Sequence, residues 1–82
     1  MTRSHGPRFA VCVDNAGHDV SLELCKIYRV LADARAEKTG LVRVIDESGD
    51  DYLYPRESFV PIELPDEAVR SLMRIGRLQR RR

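Results

Sequence analysis

Four carboxylates fall within six residues: Asp46, Glu47, Asp50 and Asp51. Hard divalent cations take several oxygen ligands, so the run has the donor chemistry for a weak Ca²⁺ or Mg²⁺ site. Its spacing is not that of an EF-hand loop, and solvated acids are ordinary at a hairpin tip. The zinc-type donors are His5, His18, Cys12 and Cys25. None forms a CxxC or HxxxH pair, the short spacings that bring two ligands to one ion. The same residues contain a thiol and an imidazole, the elements of a nucleophile pair. That chemistry needs an activated thiolate and an oxyanion hole, and no motif announces either. A buried strand thiol and an exposed loop imidazole are the plainer reading. No metal, no cofactor and no catalytic residue is therefore expected.

Two further sets favour binding over catalysis. Tyr28, Tyr52 and Tyr54 are amphipathic side chains suited to an interface. Tyr52 and Tyr54, two apart on a strand, share one face. The alternative is that this face is core. The second set is Arg70, Arg74, Arg77, Arg80, Arg81 and Arg82. Arg70, Arg74 and Arg77 recur at helical spacing, so they form one basic face able to meet phosphates. No aromatic residue is interleaved with them, and a solvated helix end is the alternative.

Secondary structure must position these groups. Leu41 to Leu64 reads as a strand, an acidic turn at Ser48-Gly49-Asp50, a returning strand through Tyr52-Leu53-Tyr54, a stop at Pro55, and a last strand around Val60 and Ile62. Pro61 confines that strand to an edge or to a non-bonding position. Upstream, Met1 to Arg8 is a polar arm. Phe9 to Val13 alternates as a first strand with its odd-numbered residues inward. Asn15 to Asp19 is a loop, and Leu22 and Leu24 point to one side of a short extended segment. Lys26 to Ala32 is the second strand. Asp33 to Gly40 is a short helix-like excursion with Asp33 as cap and Gly40 beyond its end. Pro65 opens a C-terminal helix, residues 65–76, with acids first, arginines later and an apolar stripe of Ala68, Val69, Leu72, Met73 and Ile75. Residues 77–82 read as a basic tail frayed from Gly76 onward.

Composition sets the bounds. Eighty-two residues make one small domain, stable by roughly 3–5 kcal/mol. No apolar run approaches a membrane span, and the amino-terminal arm lacks the apolar core of a secretory signal, so a cytoplasmic protein is expected. Residues 1–69 hold 8 Lys+Arg against 13 Asp+Glu, a net −5, whereas residues 70–82 hold 6 Arg and no acid, a net +6. An acidic body thus carries a basic tail. The tail can dock on the Asp46–Asp51 turn, in its own chain or a neighbour, although exposed ion pairs are individually weak.

The runs KIYRVL and DYLYPRESFVPIEL resemble the second strand and the ending of SH3-type barrels. That ending has a strand, a proline, one 3₁₀ turn, an aromatic residue and a last strand. Lys26 to Leu64, with its VIDESGDDYLYP core, resembles a group of small bacterial proteins of unknown function predicted to be SH3-like. This likeness covers about half the chain and implies a fold, not a reaction. The aromatic groove by which SH3 domains grip polyproline lacks its counterparts here: the chain has no Trp, and Asp33–Gly40 has no aromatic residue. Only Pro55 and Phe59 correspond to the groove's last pair, at a spacing one residue longer.

The reading is a mainly β chain: a five-stranded SH3-like barrel over residues 9–64 with a C-terminal helix. It is expected to be a non-enzymatic module that binds a protein partner, or itself as a homo-oligomer, through Tyr52, Tyr54, Pro55 and Phe59. The other expectation is association with nucleic acid or the ribosome through the six arginines.

Overall fold

The structure, a computed structural model, describes residues 7–80, with side chains through Ile75. Five strands and two helices follow one another as β1 (Arg8–Cys12), β2 (Ile27–Leu31), α1 (Ala34–Lys38), β3 (Leu41–Ile45), β4 (Asp51–Pro55) and β5 (Phe59–Ile62), then α2 (Asp66–Arg80). A single 3₁₀ turn, Arg56–Ser58, separates β4 from β5. The strands form one antiparallel sheet in the order β4-β3-β2-β1-β5. The sheet is open, with β4 and β5 at its two edges and no pairing between them.

Local chemistry explains most boundaries. Asp33 accepts a hydrogen bond from the Ala36 N–H at 3.0 Å and so starts α1; Gly40, at φ +80°, reverses the chain into β3. Gly49, at φ +91°, does the same between β3 and β4. Pro61 stands opposite Ala10 in the β1–β5 register. Val13 N–H bonds Ser58 C=O at 2.8 Å, and antiparallel bonding alternates. The Ala10–Pro61 pair is therefore a non-bonded one, where the missing N–H costs the ladder nothing.

One turn is built against preference. Cys25 has φ +66°, the left-handed region that favours glycine. Its N–H bonds Cys12 C=O at 2.8 Å, while Cys12 N–H bonds Lys26 C=O at 2.9 Å. Two residues of one strand thus oppose one of the other, a β-bulge with Cys25 in the position glycine usually fills.

The core lies on one face of the sheet and consists of Ala10, Cys12, Leu22, Tyr28, Val44, Tyr54 and Phe59, with Val30 and Val42 packed against it. This corrects the expected orientation of β1, whose even-numbered residues face the main core while Val13 is exposed. The register supplies the reason. Ala10 lies opposite Tyr28, and Cys12 opposite Phe59, so small side chains leave room for rings. Phe9 is also buried, on the other face. Leu22 and Leu24 part company as well: Leu22 is fully buried and Leu24 is exposed. Bonds from Ser21 N–H and Leu22 N–H to His18 C=O wind this segment into a helical turn, which destroys the period of two.

Helix α2 runs through Gly76 to Arg80 instead of fraying at the glycine. One internal glycine costs only about 1 kcal/mol, and the flanking Arg, Leu and Gln are good helix formers. Ala68, Val69, Leu72 and Met73 are half-buried, and Ile75 is exposed. Arg81 and Arg82, like His5 and most of the expected amino-terminal arm, lie outside the described residues.

Candidate functional site

The structure separates the four residues expected to form one binding face. Tyr54 is 4% exposed and Phe59 7%; both belong to the core. Tyr52 is 54% exposed, and Pro55 is exposed at the end of the strand. The neighbour that joins them is Leu53, on the opposite face of β4 and 41% exposed. Strand β4 is an edge strand, so one flank has no strand partner. Asp46 N–H bonds Asp50 C=O at 3.1 Å, and alternation from that pair makes Val44–Tyr52 and Val42–Tyr54 the bonded pairs. The backbone N–H and C=O of Leu53 therefore point away from β3, toward the sheet edge. Pro55 ends that row, because it has no N–H.

Tyr54 and Tyr28 have a second role that periodicity did not reveal. The Tyr54 hydroxyl lies 2.5 Å from Asp46 Oδ2 and 2.9 Å from Ser21 Oγ. Asp46 is itself buried, and its Oδ1 accepts from Ser48 N–H at 2.9 Å and Ser48 Oγ at 2.6 Å. The Tyr28 hydroxyl reaches Glu47 Oε2 at 2.5 Å and accepts from Glu23 N–H at 2.8 Å. Lys26 Nζ meets the same Glu47 oxygen at 2.6 Å. Glu47 N–H donates to Ser21 C=O at 3.0 Å. The β3–β4 turn and the long β1–β2 loop are thereby joined through two adjacent carboxylates and two tyrosines. His18 sits edge-on to Tyr54, with ring centroids 5.0 Å apart.

The acidic turn thus divides among separate partners. Asp46 serves Tyr54 and Ser48, Glu47 serves Tyr28 and Lys26, and Asp51 pairs with Arg43 at 2.9 Å. Among the described residues, no three His, Cys, Asp or Glu side chains converge as a metal site would require. Cys12 is fully buried and Cys25 exposed; both are free thiols, although their backbones are hydrogen-bonded across the bulge.

The electrostatics follow from these contacts. Burial, and then the bond to Glu47, pushes the Tyr28 phenol well above its usual range. Burial and the bond to Asp46 raise Tyr54 likewise. For Glu47, burial opposes ionisation, but the hydrogen bonds from Lys26 and Tyr28 outweigh it and hold the carboxyl below its ordinary value. Asp33 is also held low, first by the Ala36 N–H and then by Arg43, whose Nε lies 2.8 Å away. Such an arrangement keeps the phenols neutral and the carboxylates charged at neutral pH. It ties the β1–β2 loop to the β3–β4 turn.

The basic set lies elsewhere. Arg70 and Arg74 are exposed on α2, and Arg77 and Arg80 continue the same helix. Among the described residues, no helix is long and apolar enough to cross a membrane. Comparison with protein-family models, curated proteins and solved structures finds no match to this chain.

Proposed function

We propose that the chain is a small, non-enzymatic, cytoplasmic interaction module of SH3-like barrel type, and that it binds a protein partner or a second copy of itself at the β4 edge. The observation that carries this reading is the exposure of Tyr52 and Leu53 on opposite faces of one edge strand. Interface cores favour tyrosine and deplete charge. An incoming strand would bond to the Leu53 backbone and cover both side chains at once, as strand addition does elsewhere. Tyr54 and Phe59 belong to the reading as the support beneath that edge, not as its contact surface. The run of Pro55, one 3₁₀ turn, Phe59 and a last strand supports the reading, because it is the ending that the SH3 resemblance implies.

The test is capture from nuclease-treated lysate with three proteins: the intact chain, Tyr52→Ala, and a variant with all six C-terminal arginines changed to Gln. A protein partner is expected to be retained by the arginine variant and lost from Tyr52→Ala. The opposite pattern would favour the second reading, contact with nucleic acid or the ribosome through α2. That second reading draws on the continuity of α2, which sets Arg70, Arg74, Arg77 and Arg80 along one helix.

A further inference from the structure

Away from the β4 edge, an open pocket of about 590 Å³ lies between the start of β1, the end of β2 and α1. Its lining includes Arg8, Arg29, Leu31, Asp33 and Glu37. Both acids already have partners. Glu37 Oε2 is met by Arg8 Nη2 at 3.3 Å, and Asp33 caps α1 while holding Arg43. Arg29 differs. No hydrogen bond or ion pair to its side chain is present among the described residues, and its Nε is buried without an acceptor. A buried polar group left unpaired is costly, more so when it is charged, so native structures rarely leave one.

We propose that this pocket binds a small oxyanion, carboxylate or phosphate, held by Arg29. The edge of a guanidinium formed by Nε and one Nη matches two oxygens of such a group. Arg29 lines the pocket, and an oxygen of a ligand there would supply the acceptor that its Nε lacks. Arg8, half-exposed on a long 3.3 Å ion pair, stands in the same wall as a second cation. The paired acids Asp33 and Glu37 keep the wall near neutrality, so binding is weak and selective for oxygens that can take up the Arg29 fork. This site is independent of the β4 edge.

The test is a titration of the isotope-labelled full chain followed by NMR at the Arg29 Nε–Hε signal and the Leu31 and Asp33 amides. Acetate and inorganic phosphate are added in separate series, with sodium chloride at matched ionic strength as reference. The expected result is a saturable shift with at least one oxyanion and none with chloride; which one saturates assigns the ligand class. Arg29→Lys keeps the charge and removes the fork, and is expected to weaken binding at least tenfold. Shifts that never saturate, or that chloride reproduces, would overturn the proposal whatever the variant does. Saturation by Arg29→Lys equal to that of the intact chain would overturn the role of Arg29.

Discussion

Tyr52 and Tyr54 stand two residues apart on one face of β4, and they live in different surroundings. Tyr54 is fixed under the β1–β2 loop, with its hydroxyl shared between Asp46 and Ser21. Tyr52, one pair nearer the acidic turn, is 54% exposed. Alternation sets the side of a sheet on which a side chain stands, not whether anything lies over it. The loop that covers Tyr54 is anchored by its own carboxylate contacts, so one region of the molecule is committed to stability. The other, Tyr52 with Leu53 on the free edge, is the surface proposed for binding.

The largest effect is expected where the anchored region is packed. Leu22, in the β1–β2 loop, is fully buried, and Leu22→Ala should cost about 3 kcal/mol. Set against a total of roughly 3–5 kcal/mol, that leaves a protein at the margin of folding in urea denaturation. Tyr54→Phe keeps the ring and removes the hydroxyl bound to buried Asp46. A loss of about 1–3 kcal/mol is expected. A change under about 0.5 kcal/mol would show that the Tyr54–Asp46 contact is not what holds the turn.

pH sharpens the same contrast. The folded Tyr28 and Tyr54 phenols have raised pKa values, whereas in the unfolded chain they ionise near the ordinary tyrosine value of 10.0. The folded state therefore keeps protons that the unfolded state releases, and stability present below pH 10 should fall as pH rises above it. Tyr28→Phe should flatten that alkaline limb. Glu47 acts with the opposite sign. Its folded pKa lies below the unfolded 4.5, so its contribution is present above 4.5 and is lost as pH falls from there through the lower folded value. Equilibrium unfolding across pH checks both limbs.

Smaller effects belong to the bulge and the edge. Cys25→Gly places glycine at φ +66° and should stabilise the chain by about 1 kcal/mol, read as a raised melting temperature. Tyr52→Ala should leave stability within about 0.5 kcal/mol while weakening partner capture at least about tenfold. A comparable loss of stability at Tyr52 and Tyr54 would erase the distinction between the two regions.

Much of this architecture is legible in the chain. The strands around Val44, Tyr54 and Val60 show in their alternation, and Asp33, Gly40, Gly49 and Pro65 mark their turns and caps. Other features depend on pairing across the sheet. Ala10 and Cys12 face the core because Tyr28 and Phe59 lie opposite them, and no local pattern around Phe9 records that. Leu22 is buried by a helical turn that its own spacing disguises. The division between Tyr52 and Tyr54 depends on a distant loop, which reaches Tyr54 through Ser21 and His18. The Tyr54–Asp46 bond is not legible either: Asp46 pairs with Asp50, four residues from Tyr54 along β4, so the register alone does not bring the two side chains together.

The most direct test of the β4 edge is amide hydrogen exchange at Leu53, measured in the free chain and in its captured complex. The Leu53 N–H points away from β3, so it should exchange rapidly when free and become protected when a partner strand adds. The Tyr54 N–H, in a bonded pair with Val42, should be protected in both. An unprotected Leu53 in the complex, with new protection confined to α2, would contradict the edge and move the interface to the arginines.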